Sequence, residues 1–246
     1  MKNYLITGAT SALGTELAKI IASNNLGKSK QILISRSHSP QLEALVSSDT
    51  MYFSGVDLTT LSINDKFSEA CRDFFEGPFS LIHCAGDFWT HRSFLDISVL
   101  LAEKYMNSHY LTLYATLQSV LPVMIEKKGG RVAAFTFNSL NENFPYILPF
   151  NAAKAAVDAT IKCIAHEYSQ HNIVANVLAL ASLKTDASKK SRPFGDFDNY
   201  LELTELGNAV LEVMELSPLV NASVINVYKH SHSYYHQGYF ERIKHF

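Results

Sequence analysis

The sequence predicts one α/β domain, a doubly wound parallel sheet of about seven strands with helices on both faces. Three observations carry this expectation. Short apolar runs alternate with longer stretches of helical periodicity, and such alternation implies crossover connections between parallel strands. The strand-like runs are continuously apolar, as in Gln31-Ile32-Leu33-Ile34 and Ser80-Leu81-Ile82, which suits a sheet covered on both sides. A glycine-bearing turn, Thr7-Gly8-Ala9-Thr10-Ser11-Ala12-Leu13-Gly14, stands between the first apolar run and the first helical stretch.

The apolar runs place strands at 3–7, 31–35, 51–55, 79–84, 131–137, 173–179 and 223–228. Helical periodicity falls at 13–25, 59–75, 97–127 with a break near Asn107, 150–170 and 203–216. The chain has 246 residues with no internal repeat or low-complexity linker, so residues 1–246 are expected to form one domain. Residues 184–202 interrupt the rhythm: Lys184, Lys189, Lys190, Arg192, Pro193, Gly195, Asp196 and Asp198 occur there with few aliphatics. A polar insertion between a late strand and a helix reads as a lid over a ligand crevice.

Composition narrows the function classes. The chain is 47% hydrophobic and 18% charged, ordinary for a globular protein. A net charge of -2 leaves no basic footprint for nucleic acid. Cys71, Cys84 and Cys163 are odd in number and widely spaced, which argues against a disulfide framework and fits a reducing, cytoplasmic compartment. Met1 is followed directly by a strand-like run, so no secretory leader is expected, and no run is long enough to span a membrane. His230, His232, His236 and His245 in the tail 228–246 do not have the spacing of a zinc site, so no metal is expected. The aromatic residues of that tail are expected to cover a crevice or an interface.

The glycine turn has a physical reading of its own. Gly8 permits a tight turn, small residues let the backbone approach a pyrophosphate, and the free amides at the following helix start favour that anion. Ser35 stands at the end of the second strand, where an acidic residue would accept hydrogen bonds from a ribose 2′-hydroxyl, and Arg36 follows it. A guanidinium there suits a 2′-phosphate instead. Asp57-Leu58-Thr59 follows the third strand, and Asp57 or Thr59 is also a candidate helix cap.

These motifs, spread over about residues 3–228, resemble those of the short-chain dehydrogenase/reductase family, whose members have a Rossmann-like fold. The turn is similar to the family's Thr-Gly-x-x-x-Gly-x-Gly, with Ala12 in place of the middle glycine. His83-Cys84-Ala85-Gly86 stands where the family shows Asn-Asn-Ala-Gly. The resemblance implies a dinucleotide, NADP(H) rather than NAD(H). Its contacts would come from Gly8, Thr10, Ser11, Leu13, Gly14, Arg36, Asp57, Leu58, Ala85, Gly86, Lys154 and Thr185. Thr185 lies in Leu180-Ala181-Ser182-Leu183-Lys184-Thr185, aligned with a Pro-Gly-x-x-x-Thr segment beside the nicotinamide. Dimers or tetramers are implied as well.

The catalytic motif of the family is Tyr-x-x-x-Lys. Here the segment is Phe150-Asn151-Ala152-Ala153-Lys154, so the lysine is kept and the hydroxyl is not. The resemblance implies that Lys154 binds the nicotinamide ribose, that Asn107 orders a water, and that Ser139 binds the substrate oxygen. Ser139 is two residues nearer position 150 than is usual, and Asn138 competes for its role. Four explanations of the missing hydroxyl stay open. A different hydroxyl takes over, that of Tyr146, displaced as in enoyl and dienoyl reductases, or that of Ser139; Asn107, Lys154 and a water supply the proton; the substrate needs none; or the domain binds dinucleotide without catalysis. The expected function is an NADP(H)-dependent oxidoreductase acting on a small carbonyl, imine or conjugated double bond. A silent dinucleotide-binding or scaffolding protein is the alternative.

Overall fold

The computed structural model describes residues 1–24, 29–60, 64–89, 91–138, 144–195 and 197–229. The strands are β1 (Lys2–Thr7), β2 (Ser29–Ile34), β3 (Thr50–Phe53), β4 (Phe79–His83), β5 (Gly130–Phe137), β6 (Ile173–Leu180) and β7 (Val224–Val227). The helices are α1 (Ala12–Asn24), α2 (Pro40–Glu43), α3 (Asn64–Phe74), α4 (Val99–Tyr105), α5 (Thr112–Glu126), α6 (Leu148–Glu167), α7 (Asp186–Ser191) and α8 (Leu203–Val213). The strands form one sheet in the order β3-β2-β1-β4-β5-β6-β7, and every pairing is parallel. The order reverses between β1 and β4, so their carboxyl ends flank the switch point at which an open α/β sheet offers a crevice.

Each face of the sheet carries its own core, as the continuous apolar strands require. Leu5, Leu81, Val132, Ala134 and Val177 pack with Cys71 and Phe75 near α3, Leu113 and Val120 of α5, and Val157 and Ile161 of α6. Their strand neighbours Tyr4, Ile6, Ile82, Ala133 and Leu178 point the other way, against Leu13 and Leu17 of α1, Leu42 of α2 and Val210 of α8. Leu5, Ile6, Leu81 and Ile82 are fully buried, and each such side chain contributes about 1.5–3 kcal/mol by leaving water. Alternate residues of one strand thus serve opposite layers.

The helix expected over 59–75 begins later, at Asn64, among the described residues; Thr59 is tied instead to Asp57. The long helix expected over 97–127 is divided by a π-helical turn, Met106–Leu111, at the place where the break was expected. Residues 184–202 are built more firmly than a free loop. They contain α7 and a 3₁₀ turn at Phe197–Asn199. Leu183 bridges to Leu201, and Arg192 donates to the Ser182 hydroxyl at 3.0 Å. Ser139 and His230, His232, His236 and His245 lie outside the described residues. No helix among the described residues is long and apolar enough to cross a membrane.

Candidate active site

The Gly8 turn is held from both sides of the switch point. Gly8 has φ +69°, and a Cβ on it would stand 2.4 Å from the Ala85 nitrogen, so the turns after β1 and β4 meet backbone to backbone. The Cys84 amide donates to the Thr7 carbonyl at 2.8 Å, and the Ala9 amide donates to the Ile34 carbonyl at 2.9 Å. Ser11 accepts from the Gly14 amide at 3.0 Å, and Thr15 donates to the Ala9 carbonyl at 2.9 Å. Leu13 and Gly14 are buried at the start of α1, whereas Thr10 and Ala12 are exposed. With the Gly14 amide taken by Ser11, the Ala12 and Leu13 amides at the start of α1 lack intrahelical acceptors and are available to an anion.

Arg36 emerges from a loop fixed below it. Ser35 donates to the Ser37 carbonyl at 2.7 Å, and the Tyr52 hydroxyl accepts from the Ser39 amide at 3.0 Å. The Arg36 side chain is 70% exposed. Asp57 accepts from the amide and hydroxyl of Thr59. Those bonds first, and the Arg36 charge after them, hold its carboxyl below the usual range. Leu58 is buried in the core facing α3. Thr185 caps α7, receiving the Ser188 amide at 3.1 Å while its own amide donates to the Ser188 hydroxyl at 2.9 Å.

His83 has a structural explanation. Thr112 donates to the Ser108 carbonyl at 2.8 Å, so it accepts from His83 Nε2 at 3.3 Å. His83 Nδ1 then accepts from the Thr7 hydroxyl at 2.8 Å. Burial, with the Lys154 charge adding to it, pushes the imidazole down to about 3, so it stays neutral. It clamps β1 to α5. Burial raises the Cys84 thiol, which is therefore not a reactive thiolate.

Lys154 and Phe150 stand one turn apart on α6. The Lys154 ammonium donates to the Phe135 carbonyl at 2.8 Å and lies 5.6 Å from the Phe150 ring centre. Phe150 packs against Phe137, centroids 5.4 Å apart, and meets His109 edge-on at 5.3 Å. Trp89, Tyr105 and Ile147 are the buried members of the small apolar cluster that Phe137 and Phe150 join. Asn107 is exposed in the π-helical turn and is not part of this buried cluster. Two residues on, His109 is 4% exposed and stacks on Tyr105. Its Nε2 donates to the Asp87 carbonyl at 3.0 Å, and its Nδ1 has no hydrogen-bond partner. Burial and then the Lys154 charge hold His109 well below the ordinary histidine range, so Nδ1 keeps its lone pair.

The π-helical turn thus carries two polar candidates, Asn107 on its exposed side and His109 buried against the cluster. A signal for His109 was present in the sequence. Tyr105, His109, Thr112, Leu113 and Thr116 recur on one helical face, and Asn107 falls outside that face. Tyr146 is 44% exposed with φ +66°. Its carbonyl accepts from Trp89 Nε1 at 2.8 Å and from the Arg92 amide at 3.0 Å, but its hydroxyl makes no hydrogen bond with Lys154. A cavity of about 410 Å³ lies at the opposite, amino edge of the sheet beside Lys2, Pro78 and Arg131, away from all these groups.

Burial pushes the Lys154 ammonium down to about 8. A lysine whose pKa falls on folding binds its proton less tightly when folded, so stability rises with pH from about 8 to the ordinary lysine value. Lys154→Met is expected to lack that rise. Urea unfolding of both proteins at about pH 7.5 and about pH 10.5 should show the wild type gaining about 2 kcal/mol on the variant, a figure reduced because the side chain is partly solvated. Parallel changes in the two proteins would remove the assignment of a buried charge.

The fold and site define a class: an open parallel α/β sheet whose switch point carries a glycine turn, with a lysine on the helix after β5. The short chain dehydrogenase family model matches residues 2–195, and the chain belongs to that family. It is 25% identical over 201 residues to the very-long-chain 3-oxoacyl-CoA reductase of Bos taurus, covering 78% of this chain and 62% of that protein. It spans between 38% and 65% of the lengths of other curated relatives. Among solved structures it is similar to ElxO, in a tyrosine-to-phenylalanine variant with NADPH bound, at TM-score 0.79 and 20% identity, covering 92% of this chain and 96% of that one. It is also similar to a 3-ketoacyl-(acyl-carrier-protein) reductase from Brucella melitensis complexed with NADH, at TM-score 0.80 and 18% identity, covering 92% and 96%.

Proposed function

We propose that this protein is an atypical short-chain oxidoreductase that uses NADP(H) on a small carbonyl, imine or conjugated double bond, with Phe150 in place of the motif tyrosine. The observation that carries the reading is the placement of two cations around the switch point. Arg36 leaves β2, Lys154 stands beside β5, and the glycine turn lies between them in the sheet order. That arrangement suits a long anionic ligand laid across the carboxyl edge. Arg36 would take a 2′-phosphate, the α1 amides the pyrophosphate, and Lys154 the nicotinamide ribose. The nicotinamide supplies the hydride chemistry when bound.

The chain's own groups then account for the proton. Phe150 carries none, His109 is held neutral with its one proton committed to the Asp87 carbonyl, and the Tyr146 hydroxyl is not joined to Lys154. Lys154, held near 8, is protonated at neutral pH and loses its proton readily above it. A water bound to its ammonium is the proposed route. The tyrosine-to-phenylalanine ElxO variant with NADPH bound supports one part of this reading: in that protein a lost tyrosine hydroxyl coexists with nucleotide binding.

The packing of Phe150 among His109 and Phe137 favours a second reading, a dinucleotide-binding protein without turnover. Titration with NADPH and NADH, followed by nicotinamide fluorescence, tests what both share. NADPH is expected to bind, and Arg36→Ala to weaken it about tenfold, the loss of one charge-assisted hydrogen-bonding group. Failure of wild type to bind either nucleotide would overturn both readings.

A further inference from the structure

The Arg36 guanidinium stands 3.8 Å from the Asp87 carboxylate. Arg36 follows β2 and Asp87 follows β4, and β1 lies between those strands. Neighbouring strands are about 4.8 Å apart, so this ion pair bridges about 10 Å of the sheet edge. It crosses the carboxyl end of β1, where the Gly8 turn stands. A dinucleotide entering at the switch point meets this strap.

Asp87 is the fixed end of the strap and Arg36 the movable one. The Asp87 carbonyl accepts from His109 Nε2 at 3.0 Å. Its second carboxylate oxygen lies 3.2 Å from the Lys104 ammonium, and the side chain is only 22% exposed. Arg36 is 70% exposed, and its charge also reaches Asp57, whose carboxyl it helps to hold low. The guanidinium is thus divided between carboxylates on two sides before any ligand arrives.

We propose that Asp87 is a cofactor-selectivity residue: its carboxylate holds Arg36 across the crevice and competes with the 2′-phosphate of NADP(H) for that guanidinium. This rests on the dinucleotide reading above. It implies that wild type discriminates only weakly between NADPH and NADH, because the Arg36 contact is formed at the expense of another. The anion gained by NADPH is also placed near a fixed negative charge. NADH brings no such anion and does not compete with Asp87 for the guanidinium.

The experiment is a fluorescence titration of wild type, Asp87→Asn, Arg36→Ala, Lys104→Ala and the Asp87→Asn/Arg36→Ala double variant with NADPH and NADH. Asp87→Asn keeps the carbonyl that receives His109 and removes only the charge. It is expected to tighten NADPH about tenfold, since one full charge facing a phosphate is removed, and the gain should shrink as salt rises. NADH affinity should change less than about twofold, because no phosphate faces the altered residue. The NADPH gain should vanish in the double variant. Lys104→Ala, which leaves Asp87 to Arg36 alone, should weaken NADPH. An unchanged NADPH affinity in a folded Asp87→Asn protein would overturn the proposal. So would a gain that persists without Arg36, or an equal gain for NADH. Each of those outcomes leaves nucleotide binding intact, whereas absence of binding in wild type strikes the dinucleotide reading itself.

Discussion

Phe150→Tyr is expected to raise NADPH-dependent turnover by about 10²–10⁴-fold, the usual contribution of a positioned general acid. The position favours this result. The Phe150 ring is half-buried, with the Lys154 ammonium 5.6 Å from its centre and His109 against it. A hydroxyl added to that ring finds a cation whose charge lowers its pKa, and an unpartnered acceptor, His109 Nδ1, in the same cluster. The added oxygen should cost less than about 2 kcal/mol of stability, since it is neither fully buried nor without partners. NADPH oxidation by both proteins on a panel of small carbonyls, imines and conjugated double bonds measures the effect, with thermal unfolding as the control. A large gain would show that all else in the site is competent. No gain in a variant that folds and binds NADPH would favour the silent dinucleotide-binding reading.

Gly8→Ala is expected to destabilise the protein by at least about 3 kcal/mol, a large share of the roughly 5–15 kcal/mol that holds an average domain. Two costs combine. The residue has φ +69°, which a Cβ disfavours, and the new carbon would lie 2.4 Å from the Ala85 nitrogen and 2.6 Å from its Cα. Those are backbone atoms of the facing turn, so no side-chain rotation relieves the overlap. Gly55→Ala separates the two costs: Gly55 has φ +75° but nothing within 4 Å of the added carbon. It should cost only about 1 kcal/mol. Urea midpoints of the three proteins decide the matter, and equal losses at the two glycines would mean that the closeness of the β1 and β4 turns is not what constrains Gly8.

Much of the scaffold is legible because it is written in local patterns. Runs such as Gln31-Ile32-Leu33-Ile34 have no polar face to expose, so they belong to a sheet covered on both sides, and the two cores around β1 and β4 follow from that. Gly8 stands at a strand-to-helix junction where only a residue free to take positive φ closes the turn. Lys154 and Phe150 are one helical turn apart whatever surrounds them. The site itself is less legible. Asn107 attracts attention as a polar residue near a helix break, but a break does not say which face turns inward. The buried row Tyr105, His109 and Leu113 does, and it turns His109 inward. Residues 184–202 look like a loop by composition, yet Ser188 and Thr185 cap a helix and Arg192 ties it to Ser182, contacts that composition does not record.

The sequence by itself therefore determined the alternation of strands and helices, the glycine turn, the cations Arg36 and Lys154, and the absence of a hydroxyl at position 150. These depend on residue type and on spacings within one or two turns of chain. Only the tertiary structure decided that Arg36 meets Asp87 across β1, that His83 is a neutral clamp between Thr7 and Thr112, and that His109 carries a buried lone pair beside Lys154. Each of those pairings joins segments far apart in the chain. Strand order and burial fix the distances between them, and with the distances the charge that each group can hold.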